Sequence, residues 1–188
     1  MLVTDDDTLF EKLRLLRSHG MTTLTWDRHK GHAWSYDVVE IGYNYRIDEI
    51  RAAIGVAQLK KLEGNNARRR HLTQLYCCSL KDFPQLVIPF QNHPGITSAH
   101  IMPVLLPRDR DRVGFMEKMK SQGLQTSIHY PPIHQFSAYR NTKTSTPIQV
   151  PMTENVASRE VTLPLYPAMT DEDVNLVIQG VATALSES

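Results

Sequence analysis

The sequence predicts an α/β protein with helices laid against one sheet, and three observations carry that prediction. From residue 98 onward, short apolar runs alternate with helix-periodic segments in the order β, α, β, α, β, α, which favours helices packed on a sheet. Ahead of them, Ile47 to about Leu80 carries a helical pattern over an unusually long stretch. The chain has 188 residues, and a chain of that size buries roughly 70% of its unfolded surface without needing staples.

In chain order, Thr4 to Ser18 reads as a helix. Thr4 can cap it, Asp7 stands at the matching third position, and Asp5 and Asp6 suit the positive end of the helix dipole. Leu9, Leu13 and Leu16 share a face with Phe10 beside them. Met1-Leu2-Val3 before it reads as the last part of a strand whose beginning is missing. Residues 19–46 follow neither the helical nor the strand period and hold Trp26, Trp34, Tyr36, Tyr43, Tyr45, His29 and His32. A segment of that length is usually functional or disordered, and its aromatic content argues against disorder.

The segment from Ile47 to Leu80 is one helix, or two joined near Gly64-Asn65-Asn66. Ile47, Ile50, Ile54 and Ala57 recur on one face, and Ala52, Ala53 and Gly55 permit close approach by a neighbour. Phe83-Pro84 ends it. Residues 98–106 read as a strand, against the objection of Pro103, which cannot donate to a ladder. Asp109 or Asp111 starts a helix that Gly123 terminates. Leu124 to His129 alternates as a strand, and residues 137–150 read as polar loop. Thr153 caps a short helix through Arg159, the apolar Val161-Thr162-Leu163 follows, and Thr170 with Asp173 opens a final helix carrying Val174, Val177, Ile178, Val181 and Leu185.

The composition excludes several function classes. A formal net charge of +1, with 22% charged residues, offers no electrostatic case for nucleic acid or a membrane surface. The Arg68-Arg69-Arg70 run reads as a solvated helix face. The only cysteines, Cys77 and Cys78, are adjacent and form no scaffold, which fits a reducing cytoplasm. The acidic N-terminus does not resemble a signal peptide. No apolar run approaches the roughly 20 residues that span a bilayer. The reading is a soluble, cytoplasmic chain.

Few stretches suggest chemistry. His29-x-x-His32, His129 with His134, and His19 lack the cysteine or Glu-x-x-His context of a metal site, and Pro131-Pro132 keeps His129 and His134 off a common helical face. Neither Gly-x-Ser-x-Gly nor Gly-x-Gly-x-x-Gly occurs, so the local signatures of a hydrolase nucleophile and of a dinucleotide loop are absent. Asp48-Glu49 and Asp171-Glu172-Asp173 sit in first helical turns, where capping explains them. Two stretches remain. In Gly42-Tyr43-Asn44-Tyr45-Arg46, Asn44 and Arg46 either pack the helix entry or present donors to an anion at a helix N-terminus. In Thr126 to His134, a strand runs into a proline-braced turn with His129 and Tyr130 at its mouth, either a substrate loop or an ordinary surface turn.

Four segments taken together, MLVTDDDTLFEKLRLLRSHG, GYNYRIDEIRAAIGVAQLKKLEGNNARRR, GLQTSIHYPPIH and LPLYPAMTDEDV, resemble the C-terminal half of the DegT-type sugar aminotransferases. These are pyridoxal-phosphate (PLP) enzymes of fold type I. The resemblance runs nearly end to end, and the order of the motifs makes it specific. It implies transfer of an amino group from glutamate to a nucleotide-linked keto sugar in amino-sugar or polysaccharide biosynthesis, by a dimer in which a lysine holds PLP covalently. That lysine is expected upstream of the segment matching Met1 to Thr4. None of Lys12, Lys30, Lys60, Lys61, Lys81, Lys118, Lys120 and Lys143 matches it. The aspartate that pairs the pyridine nitrogen and the aromatic residue that stacks on the ring are expected upstream too.

By the same resemblance, Asn44 donates to the PLP phosphate of a neighbouring subunit, Arg46 supports the phosphate or the sugar nucleotide, and His129, Tyr130 and His134 lie near the substrate. Residues 1–46 become the tail of the large domain with the cofactor loop, 47–82 a linking helix, and 83–188 a small α/β domain with a mixed or antiparallel sheet. The expectation is a fragment inactive by itself. The alternatives are half of a split enzyme or a non-catalytic dimerisation module. The resemblance also marks two departures: Pro103, which puts its strand's register in doubt, and Gly64-Asn65-Asn66 within a commonly continuous helix.

Overall fold

The computed structural model describes residues 2–22, 37–140 and 149–186. The chain divides into two compact units, Met1–Lys60 and Lys61–Ser188.

In the first unit, α1 spans Asp7–Leu16. Its N-cap is Asp6, whose side chain accepts from the Leu9 amide at 3.0 Å, and not Thr4, whose hydroxyl accepts from the Asp6 amide at 3.1 Å. A carboxylate binds the amides of a first turn more strongly than a hydroxyl does, so the helix begins later than its first possible cap. It also ends earlier than Ser18. His19 (φ 63) and Gly20 (φ 68) both adopt left-handed backbone, which a right-handed helix cannot contain.

That reversal lays residues 18–22 antiparallel to 37–45 through bridges at Ser18–Asn44 and Met21–Val38. Two glycines make the approach possible. A Cβ on Gly20 would stand 1.8 Å from the Glu40 carbonyl oxygen, and one on Gly42 would stand 2.3 Å from the Gly20 nitrogen. Trp26, His29, His32, Trp34 and Tyr36 lie outside the described residues.

Helix α2 runs unbroken through Glu49–Ser79, with the Asp48 carboxylate accepting from the Arg51 amide at 2.8 Å. The break near Gly64 does not occur. Arg70 donates to Glu63 at 2.8 Å and Arg69 donates to Asn66, so side-chain bonds span the weak stretch along the helix.

The second unit centres on a two-stranded antiparallel sheet, β1 (Met102–Leu105) and β2 (Glu160–Leu163), registered from Met102 opposite Leu163 to Leu105 opposite Glu160. Pro103 sits inside β1, opposite Thr162. The Leu105 amide donates away from β2, to Val87 at 2.8 Å, whereas the Leu106 amide donates to Arg159 across the β1–β2 pair. Alternate residues share a direction, so the amide that Pro103 lacks would face the Val87 side, where only a single bridge forms.

Leu124 to His129 does not form a full strand. Ser127 alone bridges to Thr162, because the next available amide, His129, donates to the Glu160 side chain at 3.0 Å in place of a ladder partner.

Around this sheet, α3 (Arg112–Ser121) is capped by Asp111, which accepts from Val113 and Gly114. Gly123 takes φ 78 just beyond it. A turn of 3-10 helix at Ile133–Gln135 leads to a short α4 (Ser137–Arg140), where the sequence suggested loop; residues 141–148 lie outside the described residues. Helix α5 (Pro151–Arg159) opens on Pro151 rather than on a Thr153 cap, since a first-turn proline lacks only an amide that has no helical partner. Helix α6 (Asp171–Ser186) carries the capping box expected of it: Asp173 N donates to Thr170 Oγ1 at 3.1 Å, and Thr170 N to Asp173 Oδ2 at 2.8 Å.

The core joins Leu72 and Tyr76 of α2 to Met102 and Val104 of β1, Phe115 and Met119 of α3, Val161 of β2, and Val174 and Val181 of α6. Each such side chain contributes roughly 1.5–3 kcal/mol by leaving water.

Candidate functional site

The residues singled out by the sequence fall into two clusters, one in each unit. In the first, Asn44 rides on a segment held to the end of α1. Tyr43 N donates to Leu16 O at 2.6 Å, Tyr45 N to Arg17 O at 2.9 Å, and His19 N to Tyr43 O at 2.9 Å. The first two bonds satisfy carbonyls that a helix C-terminus leaves open, so the same contacts that end the helix fix the Asn44 backbone. The Tyr43 and Tyr45 rings stack at 5.1 Å, 7° from parallel.

Arg46 Nε donates to Asn44 Oδ1 at 3.2 Å. With the acceptor end of the amide engaged, Nδ2 is the end that Asn44 can offer to a ligand, and it offers donors only. An Arg46 terminal nitrogen also lies 3.2 Å from His19 Nε2. The Asn44 amide and the Arg46 guanidinium therefore meet on an exposed surface, a donor pair suited to an anion such as a phosphate monoester, with His19 Nε2 accepting from the guanidinium. Sequence reasoning did not connect His19 with Asn44 and Arg46. Its position before Gly20 at the end of a helix was the available signal.

In the second unit, His129 and Tyr130 lie edge to face with ring centres 4.8 Å apart, and the peptide bond between them is cis. His129 is half-buried. It lines a cavity of about 290 Å³ together with His100, Gln125, Ser127, Thr162 and Leu165. Tyr130 is largely exposed. His134 is turned to another partner, with Nε2 3.2 Å from Glu154 Oε1 on α5.

Two residues missed by sequence reasoning sit directly behind His129. Its Nδ1 lies 2.9 Å from Thr162 Oγ1, whose hydroxyl donates to Glu160 Oε1 at 2.5 Å. Glu160 Oε2 accepts the His129 backbone amide. Both Glu160 and Thr162 are buried. A charged residue opening an apolar strand was visible in the sequence, but only the pairing of β2 with residue 127 shows what it faces.

Other reactive groups fit a structural role. Cys77 and Cys78 are free thiols. Burial first, and then neighbouring Cys78, push the Cys77 thiol up, away from the thiolate a nucleophile needs. Among the described residues no cluster of three or more metal-ligating groups occurs, and no helix is long and apolar enough to cross a membrane.

Comparison with known proteins places the chain as a whole. A model of the DegT/DnrJ/EryC1/StrS aminotransferase family matches residues 1–182. The chain is 35% identical to the uncharacterized protein MJ1066 of Methanocaldococcus jannaschii, over 100% of this chain and 50% of that protein. It is 32% identical to the spore coat polysaccharide biosynthesis protein SpsC of Bacillus subtilis, over 96% of this chain and 48% of SpsC. Among solved structures, it is similar to Helicobacter pylori PseC, an aminotransferase involved in the biosynthesis of pseudoaminic acid. That match has a TM-score of 0.83 and 26% identity, covering 99% of this chain and 48% of PseC. The chain spans about half the length of the curated relatives it matches.

Proposed function

The chain belongs to the DegT/DnrJ/EryC1/StrS aminotransferase family, and from that premise we propose that it supplies the C-terminal half of a PLP-dependent sugar aminotransferase of fold type I. The reaction moves an amino group from glutamate to a nucleotide-linked keto sugar. Residues 1–46 serve as the tail of the large domain and the cofactor loop, 47–82 as the linking helix and 83–188 as the small domain. The lysine-bearing half, joined to this chain or separate, completes the site.

PLP, when bound, acts as the electron sink for the bonds that change. This chain's part is to bind and orient. Asn44 Nδ2 and the Arg46 guanidinium hold the phosphate, and His129 and Tyr130 position the sugar nucleotide. His134, engaged by Glu154, shapes the loop that carries them. The observation that supports this most is the hydrogen bond from Arg46 Nε to Asn44 Oδ1, which commits the Asn44 amide to donating.

The test combines the chain with the lysine-bearing half of a family member and measures PLP retention and glutamate-dependent transamination. Asn44→Ala should weaken PLP retention about tenfold or more, as expected for a hydrogen bond to a charged group worth roughly 1.5–3 kcal/mol. Retention of phosphate-free pyridoxal should not change. Equal loss for both forms, or none for either, would remove Asn44 from the phosphate site.

A second reading, a dimerisation module without catalysis of its own, draws on a different observation. Ile50 and Ile54 share one face at the start of α2 and are 75% and 57% exposed, and Ile47, just ahead of the helix, is 70% exposed. Monomeric proteins seldom leave such a face open.

A further inference from the structure

We infer that Glu160 and Thr162 are positioning residues that hold His129 in one neutral tautomer, with the proton on Nδ1 and the lone pair on Nε2. The inference rests on the reading of His129 as a sugar contact and adds what that contact can accept. It begins with the short bond between the Thr162 hydroxyl and Glu160 Oε1, at 2.5 Å. An ionised carboxylate only accepts, and a hydroxyl has one proton to give. With that proton committed to Glu160, Thr162 Oγ1 faces His129 Nδ1, 2.9 Å away, as an acceptor, and Nδ1 must carry the hydrogen. Ser127 Oγ, at 3.5 Å from the same nitrogen, is too distant to compete.

The arrangement is built into the strand. Glu160 and Thr162 are two residues apart on β2, and β-strand alternation puts them on one face. The second oxygen of Glu160 is held by the His129 amide at 3.0 Å, so backbone and ring of the same histidine are fixed by one carboxylate and its relay. Both members are buried, at 7% and 5% exposure, where water competes little and an oriented dipole acts strongly. A histidine whose Nδ1 is tied behind it in this way presents an acceptor at Nε2. The ligand group that matches is a neutral donor, here a hydroxyl of the sugar, and not a carboxylate or a carbonyl oxygen.

Nitrogen-15 NMR of the imidazole, on the chain without cofactor or sugar and at alkaline pH, tests this directly. The expected spectrum puts His129 Nδ1 at the protonated, pyrrole-like position and Nε2 at the pyridine-like position. Thr162→Val, which keeps the strand-favouring shape, should move the ring towards the Nε2-protonated form that free imidazole prefers. Thr162→Ser should restore the original pattern. Glu160→Leu, which frees the Thr162 proton, should shift the ring part of the way. An Nε2-protonated His129 in the unaltered chain, or a spectrum that Thr162→Val leaves unchanged, would overturn the relay. Because the spectrum needs no substrate, that result would leave the aminotransferase reading standing, and a failed transamination test would leave the tautomer standing.

Discussion

The Tyr76 hydroxyl donates to the Pro164 carbonyl oxygen at 2.8 Å, tying α2 to the segment that leaves β2. Tyr76 is fully buried and Pro164 partly so, so this bond satisfies a hydroxyl that would otherwise stand unpaired in the core.

Tyr76→Phe should therefore cost about 1 kcal/mol, the net worth of one hydrogen bond to a part-buried acceptor, measured by chemical denaturation. The pH dependence follows as well. Burial first, then the charge of Asp173 and the nearby Tyr166, push the Tyr76 phenol well above its ordinary range. A raised folded value gives stability that is whole below about pH 10, the ordinary tyrosine value, and is lost as pH rises beyond it. The unaltered chain should lose stability above that pH, and Tyr76→Phe should lose less. Parallel alkaline limbs would contradict the assignment.

Asp171 opens α6 and is gripped from α2, with Arg68 Nη2 at 2.8 Å from Oδ1 and His71 Nε2 at 3.0 Å from Oδ2. The His71 hydrogen bond first, and then Arg68, hold its carboxyl below the usual range. A depressed folded value gives stability present above about pH 3.9 and lost as pH falls through the folded value. Asp171→Asn should flatten the acid limb of the stability profile while leaving the alkaline limb unchanged. An acid limb of unaltered slope would show that the pair is too solvated to matter.

Two glycines should respond in opposite ways to alanine. At Gly20, a Cβ meets the Glu40 carbonyl oxygen at 1.8 Å and the backbone is left-handed. Gly20→Ala should open the 18–22 pairing and speed hydrogen exchange at the Val39 and Tyr43 amides. At Gly55, in α2, nothing lies within 4 Å, and alanine should stabilise the helix by up to about 1 kcal/mol. Unchanged exchange in Gly20→Ala would contradict the close approach.

The exposed isoleucines of α2 make a prediction about assembly. The chain should self-associate in a concentration-dependent way by light scattering, and Ile50→Lys with Ile54→Lys should reduce that association without loss of helicity. A clean monomer before substitution would count against a partner on this face.

Much of the fold was legible because the signals were local. The Thr170–Asp173 box, Gly123 and the Asp111 cap all act within a turn or two of backbone; the first two stand where the pattern put them, and Asp111 is one of the two caps the pattern allowed. Errors arose where two local signals competed or where the partner was distant. Asp6 displaced Thr4 as the cap because its carboxylate takes the Leu9 amide of the first turn, while the Thr4 hydroxyl is left with the Asp6 amide ahead of the helix. The strand expected over Leu124 to His129 reduced to a single bridge because Glu160, distant in sequence, takes the His129 amide.

The sequence by itself determined the α/β class, most of the helices, the approximate places of β1 and β2, and the family, and it marked Asn44, Arg46 and His129 as residues worth placing. Those follow from periodicity, capping chemistry and motif order, all of which are written along one chain. Tertiary structure alone decided why Pro103 is harmless, what His19 does for Arg46, and that Glu160 and Thr162 stand behind His129. Each of those depends on which residue faces which across a pairing, and the register of β1, β2 and residue 127 is set by the packing of the whole core.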